Sequence, residues 1–192
     1  SDPELAAELT NSLARVFSGP NEGLAEKPLF FARTAALIAS GEEVSGTGSL
    51  TAQLVEAFLS RELKQKLLDR NEKQILTREQ LWNLCADMAE EMWSQSTREL
   101  DKFTVKDDVN LGPSQKVIVT ERMPSMAFLR RGDSEGSVAF EHEIFFDYFL
   151  ARRFADRLGV KGVVTTMMLG RSAMPESLSD EIARSIVDID RQ

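Results

Sequence analysis

The chain has 192 residues, 42% of them hydrophobic, and a formal net charge of −8. This length and apolar content can fill a core, whereas the acidic balance argues against a nucleic-acid or anionic-lipid partner. No apolar run reaches the roughly 18–20 residues of a membrane span, and no basic-then-apolar signal opens the chain, so we expect a cytoplasmic location without a membrane partner.

Residues 1–72 are predicted to form a helical domain of three amphipathic helices. The first begins at Pro3, with Asp2 as its N-cap, and is closed by Gly19. The second begins near Pro28 in "EKPLFFARTAALIAS", and the third repeats apolar residues at helical spacing through "LTAQLVEAFLSRELKQKLL". The small residues of "GEEVSGTGS" between the last two are typical of a loop.

A further helix follows the first domain. Thr77 and Gln80 form a capping box, and the apolar face after it contains the only cysteine, Cys85, which we expect to be a buried, inert thiol. The stretch around "KVIVT" has strand-like β-branching, but a helix that starts at Pro113 and ends before Pro124 is favoured. Up to this point every predicted element is a helix.

A β-hairpin and a buried helix are predicted next. In "AFLRRGDSEGSVAFEH", two short apolar runs flank the turn residues "GDSEG". The segment "EIFFDYFLARRFADRL" has aromatic residues around most of its circumference, which indicates a helix buried between neighbours. Arg152 and Arg153 are expected on its solvated or ion-paired edge, and an anion contact by this pair is the weaker alternative. Residues 158–192 suggest two short helices broken at Gly170 and Pro175.

The sequence lacks the motifs of the common catalytic sites. The closest approach to a phosphate-binding loop, "GEEVSGTGS", has Thr47 in place of the lysine. His142 and Glu143 begin a zinc-protease-like His-Glu-x-x-His, but Phe146 occupies the second ligand position. With one histidine and one cysteine, a protein-only metal site is not expected. We expect this chain by itself to have no cofactor and not to be an enzyme.

The order helix, helix, hairpin, helix is that of a winged-helix domain, here over residues 73–157. Such a domain by itself favours a DNA-binding regulator. The acidic charge, the lack of a basic stripe on a candidate recognition helix and the acids in "GDSEG" argue against DNA. A helical protein-interaction module is a second alternative. The predicted fold class is mainly α: a helical bundle, a winged-helix domain with a small β-hairpin, and the start of a further helical segment over residues 158–192.

The stretch "VAFEHEIFFDYFLARRFA" resembles a signature at the end of the winged-helix domain in NACHT-type STAND NTPases, which are signalling ATPases. The signature reads Phe-x-His-x-x-x-x-(Glu/Asp)-Tyr-Phe-x-Ala. It is met by Phe140, His142, Asp147, Tyr148, Phe149 and Ala151, with Asp147 in place of the more usual glutamate. The stretches "EKPLFFARTAALIAS" and "LTAQLVEAFLSREL" are similar to the family's helical domain, and "LGRSAMPESLSDEIA" to the start of its next helical segment.

The resemblance implies a nucleotide-binding role for two residues. In the family, the winged-helix histidine reaches the ADP phosphates in the closed state, and the proline of the helical domain packs near the adenine. By matching position these are His142 and Pro28. A neutral imidazole can donate a hydrogen bond to a phosphate oxygen. The structural alternatives are that His142 links strand and helix by bonding to the backbone, and that Pro28 only starts a helix.

The resemblance also implies a function for the whole chain. The Walker motifs would lie upstream of residue 1, in a longer protein that binds ADP or ATP with Mg²⁺. This chain would hold the nucleotide-binding domain of the same protein in its ADP-bound closed state and move on activation to allow assembly of a homo-oligomer. In bacteria the family role implies antiphage defence.

Overall fold

The computed structural model describes residues 3–41, 44, 49–101, 111–159 and 178. The chain divides into two compact units, Ser1–Ala57 and Phe58–Gln192, and each is described by itself. The fold is mainly α, as predicted, with one small antiparallel sheet. The predicted domain boundaries after residues 72 and 157 stay predictions.

In the first unit, prolines begin the α-helices and a glycine follows the end of the first one. Helix α1 spans Pro3–Val16 and α2 spans Pro28–Ala39. Each begins with a proline, whose missing N–H removes no helical hydrogen bond in the first turn. Gly19 follows α1 at φ +60, a left-handed conformation that glycine adopts without strain. A 3₁₀ helix, Gly19–Leu24, then leads toward α2.

The apolar faces of these helices form the core of the first unit. Phe17 stacks on Phe31 of α2, with ring centroids 5.7 Å apart. Helix α3 spans Leu50–Gln65, and the division between the two units falls within it. The buried apolar side chains of the first unit include Val16, Phe17, Phe30, Val44, Leu50, Leu54 and Val55. The three helices predicted for this part of the chain are therefore confirmed.

The second unit contains three further helices in the described residues, and each confirms a prediction. Helix α4, Arg78–Ser94, begins at the predicted capping box. The N–H of Gln80 donates to Thr77 Oγ1 at 3.1 Å, and the N–H of Thr77 donates to Gln80 Oε1 at 2.8 Å. Helix α5, Pro113–Arg122, contains the "KVIVT" stretch, and α6 spans Glu143–Gly159.

The sheet of the second unit has three short strands in the order β1-β3-β2, and both pairings are antiparallel. Strands β2 (Leu129–Arg131) and β3 (Ser137–Phe140) form the predicted hairpin. Strand β1, Glu99–Asp101, was not predicted. Its three residues include no β-branched side chain, and they become a strand because they pair with β3.

Aromatic rings dominate the core of the second unit, where α4 and α6 pack against each other. The ring of Phe149 lies 6.1 Å from Trp82, 5.6 Å from Phe128 and 5.7 Å from Phe140, measured between centroids. Cys85 is buried on α4, as predicted. Burial raises the pKa of its thiol, so the reactive thiolate is disfavoured.

The predicted N-cap, Asp2, lies outside the described residues, and two further sequence predictions fall largely outside them. They are the loop "GEEVSGTGS" and the two helices after residue 158, for which the structure describes Leu178 alone, as a buried helical residue. Among the helices of the described ranges, none combines the length and apolarity needed to cross a bilayer.

Candidate functional site

The junction between β3 and α6 contains the six residues of the family signature. Five of their side chains are buried: Phe140, Asp147, Tyr148, Phe149 and Ala151. His142 is the one member of the six that is partly exposed. These six positions therefore consist of five residues that belong to the protein interior and one that is partly accessible to solvent.

His142 lies immediately before α6 and bonds to the first turn of that helix. The N–H of Ile144 donates to His142 Nδ1 at 3.3 Å, and the N–H of Phe145 donates to the His142 carbonyl at 3.0 Å. This is the bonding pattern of a helix N-cap. A neutral imidazole that accepts at Nδ1 has its proton on Nε2, so Nε2–H is the donor of this ring. This backbone bonding agrees with the structural alternative, in which His142 links strand and helix.

Charged residues flank His142 in the sequence, and one of them pairs with an arginine. Glu143 accepts a hydrogen bond from Arg98 Nη2 at 3.0 Å, and both side chains are more than half exposed. The Arg98 guanidinium carbon also lies 4.2 Å from the centroid of the Phe146 ring, which is a cation–π contact. Glu141, on the other side of His142, is exposed. The junction thus combines two carboxylates with one arginine that stacks on an aromatic ring.

Pro28 lies in the first unit, whereas His142 lies in the second. Pro28 is the exposed first residue of α2 and follows Lys27, which is extended at φ −94 and ψ 107. One turn later Phe31 is 45% exposed. The helix-starting position of Pro28 agrees with its structural alternative. The nucleotide-binding role stays a prediction for both residues.

Arg153 connects α6 to α4 through ion pairs. Its guanidinium donates to Glu90 Oε2 at 3.2 Å and pairs with the carboxylate of Asp87. Arg152 pairs with Asp156 of the same helix at 3.7 Å. The prediction that both arginines form the ion-paired edge of α6 is confirmed. Arg153 thus connects α6 to α4, whereas Arg152 pairs within α6.

A buried carboxylate was missed by the sequence analysis. Glu62 on α3 is fully buried, and its Oε1 accepts from Arg61 Nη2 at 3.1 Å and from the N–H of Ala127 at 3.2 Å. Lys66 Nζ lies 3.1 Å from Glu62 Oε2. Glu62 is three residues after Leu59, so its place on the apolar stripe of α3 was the available signal. This carboxylate joins α3 to the chain just before β2.

The hairpin turn is fixed by Glu99 of β1. Its carboxylate accepts from the N–H of Asp133 at 2.7 Å, from Ser134 Oγ at 3.0 Å and from Ser137 Oγ at 3.1 Å. These bonds, chiefly those from Asp133 and then Ser134, lower the pKa of Glu99. A Cβ at Gly132 would lie 2.3 Å from Glu99 Oε2. A side chain at this position would therefore displace the Glu99 carboxylate from its place beside the turn.

The described residues contain no group of three or more His, Cys, Asp or Glu side chains arranged to hold a metal ion. Comparison of the chain with protein-family models, with curated proteins and with solved structures finds no match. The residues and the geometry of the β3–α6 junction are therefore the features of this chain that bear on its function.

Proposed function

We propose that this chain is the non-catalytic regulatory arm of a NACHT-type STAND signalling NTPase. In this role it holds the nucleotide-binding domain of the same protein in the ADP-bound closed state. On activation it moves, so that nucleotide exchange and assembly of a homo-oligomer can follow. The parent protein would bind ADP or ATP with Mg²⁺ and act in the cytoplasm, in bacteria as part of antiphage defence.

The observation that carries this proposal is the exposure pattern of the signature. Of the six signature residues five are buried and His142 is partly exposed, although it also caps the first turn of α6. Its Nδ1 accepts from Ile144, so the ring offers Nε2–H as a donor. A phosphate oxygen is a strong acceptor for such a donor. The geometry is therefore compatible with the ADP contact that the resemblance implies.

The order of elements in the second unit supports the winged-helix part of the proposal. Helices α4 and α5 precede the β2–β3 hairpin, and β1 completes the sheet beside β3. Helix α6 then begins three residues after β3 ends, which joins the hairpin directly to the aromatic helix. A regulatory arm that rotates as one body needs this rigid connection between hairpin and helix.

The surface charge opposes the DNA-binding alternative. The exposed residues of α5, which would be the recognition helix, include Ser114, Val117 and Glu121, and the hairpin tip exposes Asp133 and Glu135. Phosphate backbones and guanine edges attract arginine and lysine at such positions. We expect no sequence-dependent binding to duplex DNA at physiological salt. Submicromolar, sequence-dependent binding in a fluorescence anisotropy titration would support the alternative instead.

The proposed function is tested on the protein as its gene encodes it. The coding sequence upstream of Ser1 should contain a Walker A loop, and the purified protein should contain ADP, measured by chromatography after denaturation. The 192-residue chain by itself should hydrolyse no ATP above a buffer blank. A gene without a Walker A loop, or an encoded protein without bound nucleotide, would contradict the proposal.

A further inference from the structure

An imidazole is by itself a poor site for a diphosphate. With Nδ1 accepting from Ile144, the ring of His142 offers one donor, whereas ADP carries several negative charges on its phosphates. Glu141 and Glu143 stand on either side of it in the sequence, and both are exposed carboxylates that repel an anion. A phosphate contact at this junction therefore requires a cation that offsets the two glutamates.

Arg98 is the cation that the fold brings to the junction. Glu99 is opposite Ala139 in the β1–β3 pairing, so Arg98 lies beside the end of β3 that leads into His142. Its guanidinium pairs with Glu143 at 3.0 Å. The Phe146 ring, one turn into α6, stacks on the same guanidinium. Arg98 is thus held at the start of α6 by two separate contacts.

We propose that Arg98 is a second phosphate-contacting residue of this site and that Glu143 competes with the phosphate for it. This inference rests on the proposed function and adds a regulatory element to it. Without an anion, Arg98 is paired with Glu143, as the structure shows. When a diphosphate contacts His142, the guanidinium exchanges the carboxylate of Glu143 for a phosphate oxygen and stays on the Phe146 ring.

Two physical properties make this exchange feasible. An ion pair between side chains that are 54% and 61% exposed is weak, so breaking it costs little. The planar guanidinium has five donors in a fixed fork that suits carboxylate and phosphate equally, and it can stack on an aromatic ring at the same time. The Phe146 contact restricts Arg98 to this position in both states, which reduces the entropy lost on binding.

The inference is tested by an NMR titration of this chain with inorganic pyrophosphate. His142 is the only histidine of the chain, so its imidazole signals are identified without mutagenesis. Pyrophosphate should shift them in a saturable way, and sodium chloride at equal ionic strength should not. Arg98→Gln should weaken binding about tenfold, and Glu143→Gln should tighten it about two- to fivefold. Arg131→Gln, which removes an exposed arginine of β2, is the matched control and should change binding little.

The opposite signs of the two variants are the decisive result. If the guanidinium exchanges partners, most of the gain from Glu143→Gln should disappear in the Arg98→Gln background. A gain that persists there would mean that Glu143 acts by simple repulsion, and the exchange would be disproved. No shift of His142 with pyrophosphate, or equal losses in Arg98→Gln and Arg131→Gln, would overturn the inference as well.

The outcome for Arg98 can be separated from the outcome for the proposed function. If the encoded protein retains ADP and loses it on substitution of His142, but Arg98→Gln and Glu143→Gln leave retention unchanged, the proposed function stands and the role of Arg98 is wrong. If the encoded protein contains no nucleotide at all, the proposed function itself is wrong, whatever the titration shows.

Discussion

The two ends of α6 differ in how they are packed. In the middle and toward the C-terminal end, Phe149 and Phe154 are fully buried, and Arg153 is fixed by carboxylates of α4. At the start, His142 is partly exposed, and Glu143 forms a surface ion pair with Arg98. A close-packed interior has one arrangement, whereas exposed polar groups exchange partners at low cost. One helix thus combines a fixed, close-packed part with an exposed, polar first turn.

The largest effect is expected when an aromatic ring is removed from the fixed part of α6, its buried middle. Phe149→Ala should lower the free energy of unfolding by about 3–5 kcal/mol, because the ring contacts those of Trp82, Phe128 and Phe140 and leaves a cavity. The matched control is Phe31→Ala, since Phe31 is 45% exposed and should cost much less. Urea denaturation measures both variants. Equal losses would show that the middle of α6 is no more tightly packed than the surface.

The ion pairs that connect α6 to α4 provide the second test. Arg153→Met should cost about 3 kcal/mol, because it leaves the buried carboxylate of Asp87 without its cation. Arg152→Met removes an arginine from the same turn, but one that pairs with an exposed carboxylate at 3.7 Å, and should cost about 0.5 kcal/mol or less. The stabilities of the two variants are compared by thermal unfolding. A loss for Arg152→Met as large as that for Arg153→Met would refute the assignment.

At the first turn of α6 the expected effect on stability is smaller. His142→Ala removes the acceptor for the N–H of Ile144 and should cost about 1 kcal/mol. His142→Asp keeps an acceptor in the capping position, so it should be within about 0.5 kcal/mol of the unmodified chain. Both are measured by urea denaturation. If His142→Asp is destabilised by several kcal/mol, the histidine belongs to the fixed part of the helix.

The hairpin turn extends the comparison to a surface contact that depends on pH. The pKa of Glu99 is lowered in the folded chain, so the stabilisation from this carboxylate is present above its ordinary value of 4.5 and is lost as the pH falls through the lower, folded pKa. Glu99→Gln should remove that part of the pH dependence below pH 4.5. Glu135→Gln, an exposed acid of the same tip, is the control. Identical pH profiles for the unmodified chain and Glu99→Gln would contradict the assignment.

The sequence was most informative where local chemistry decides the structure. Pro28 and the Thr77 capping box fix helix starts through their own backbone geometry, and both were predicted. Strand β1 and the burial of Glu62 were not, because each depends on a partner distant in the chain: β1 pairs with β3, and Glu62 bonds to the N–H of Ala127. The hydrophobic periodicity of a segment does not show which distant residues it will pair with.

The candidate site was predictable only in part. The spacing of the signature identified His142, but which of its nitrogens bonds to the backbone depends on the turn from β3 into α6. The pairing of Arg98 with Glu143 could not be predicted either, because 45 residues separate the two in the sequence. Pairing between β1 and β3 brings the two together, and β1 has no strand signal of its own.

The central claim, that His142 contacts ADP in the closed state, is tested most directly by the nucleotide content of the encoded protein. His142→Asp keeps the helix cap but removes the Nε2–H donor and adds a negative charge, so it should fold normally and yet lose its ADP. A charge-assisted hydrogen bond of about 1.5–3 kcal/mol corresponds to about a ten- to hundredfold shift toward the open state. The variant should therefore purify with little ADP and oligomerise without a trigger. If it retains ADP like the unmodified protein and stays monomeric, His142 is a helix cap and the nucleotide-sensing role is wrong.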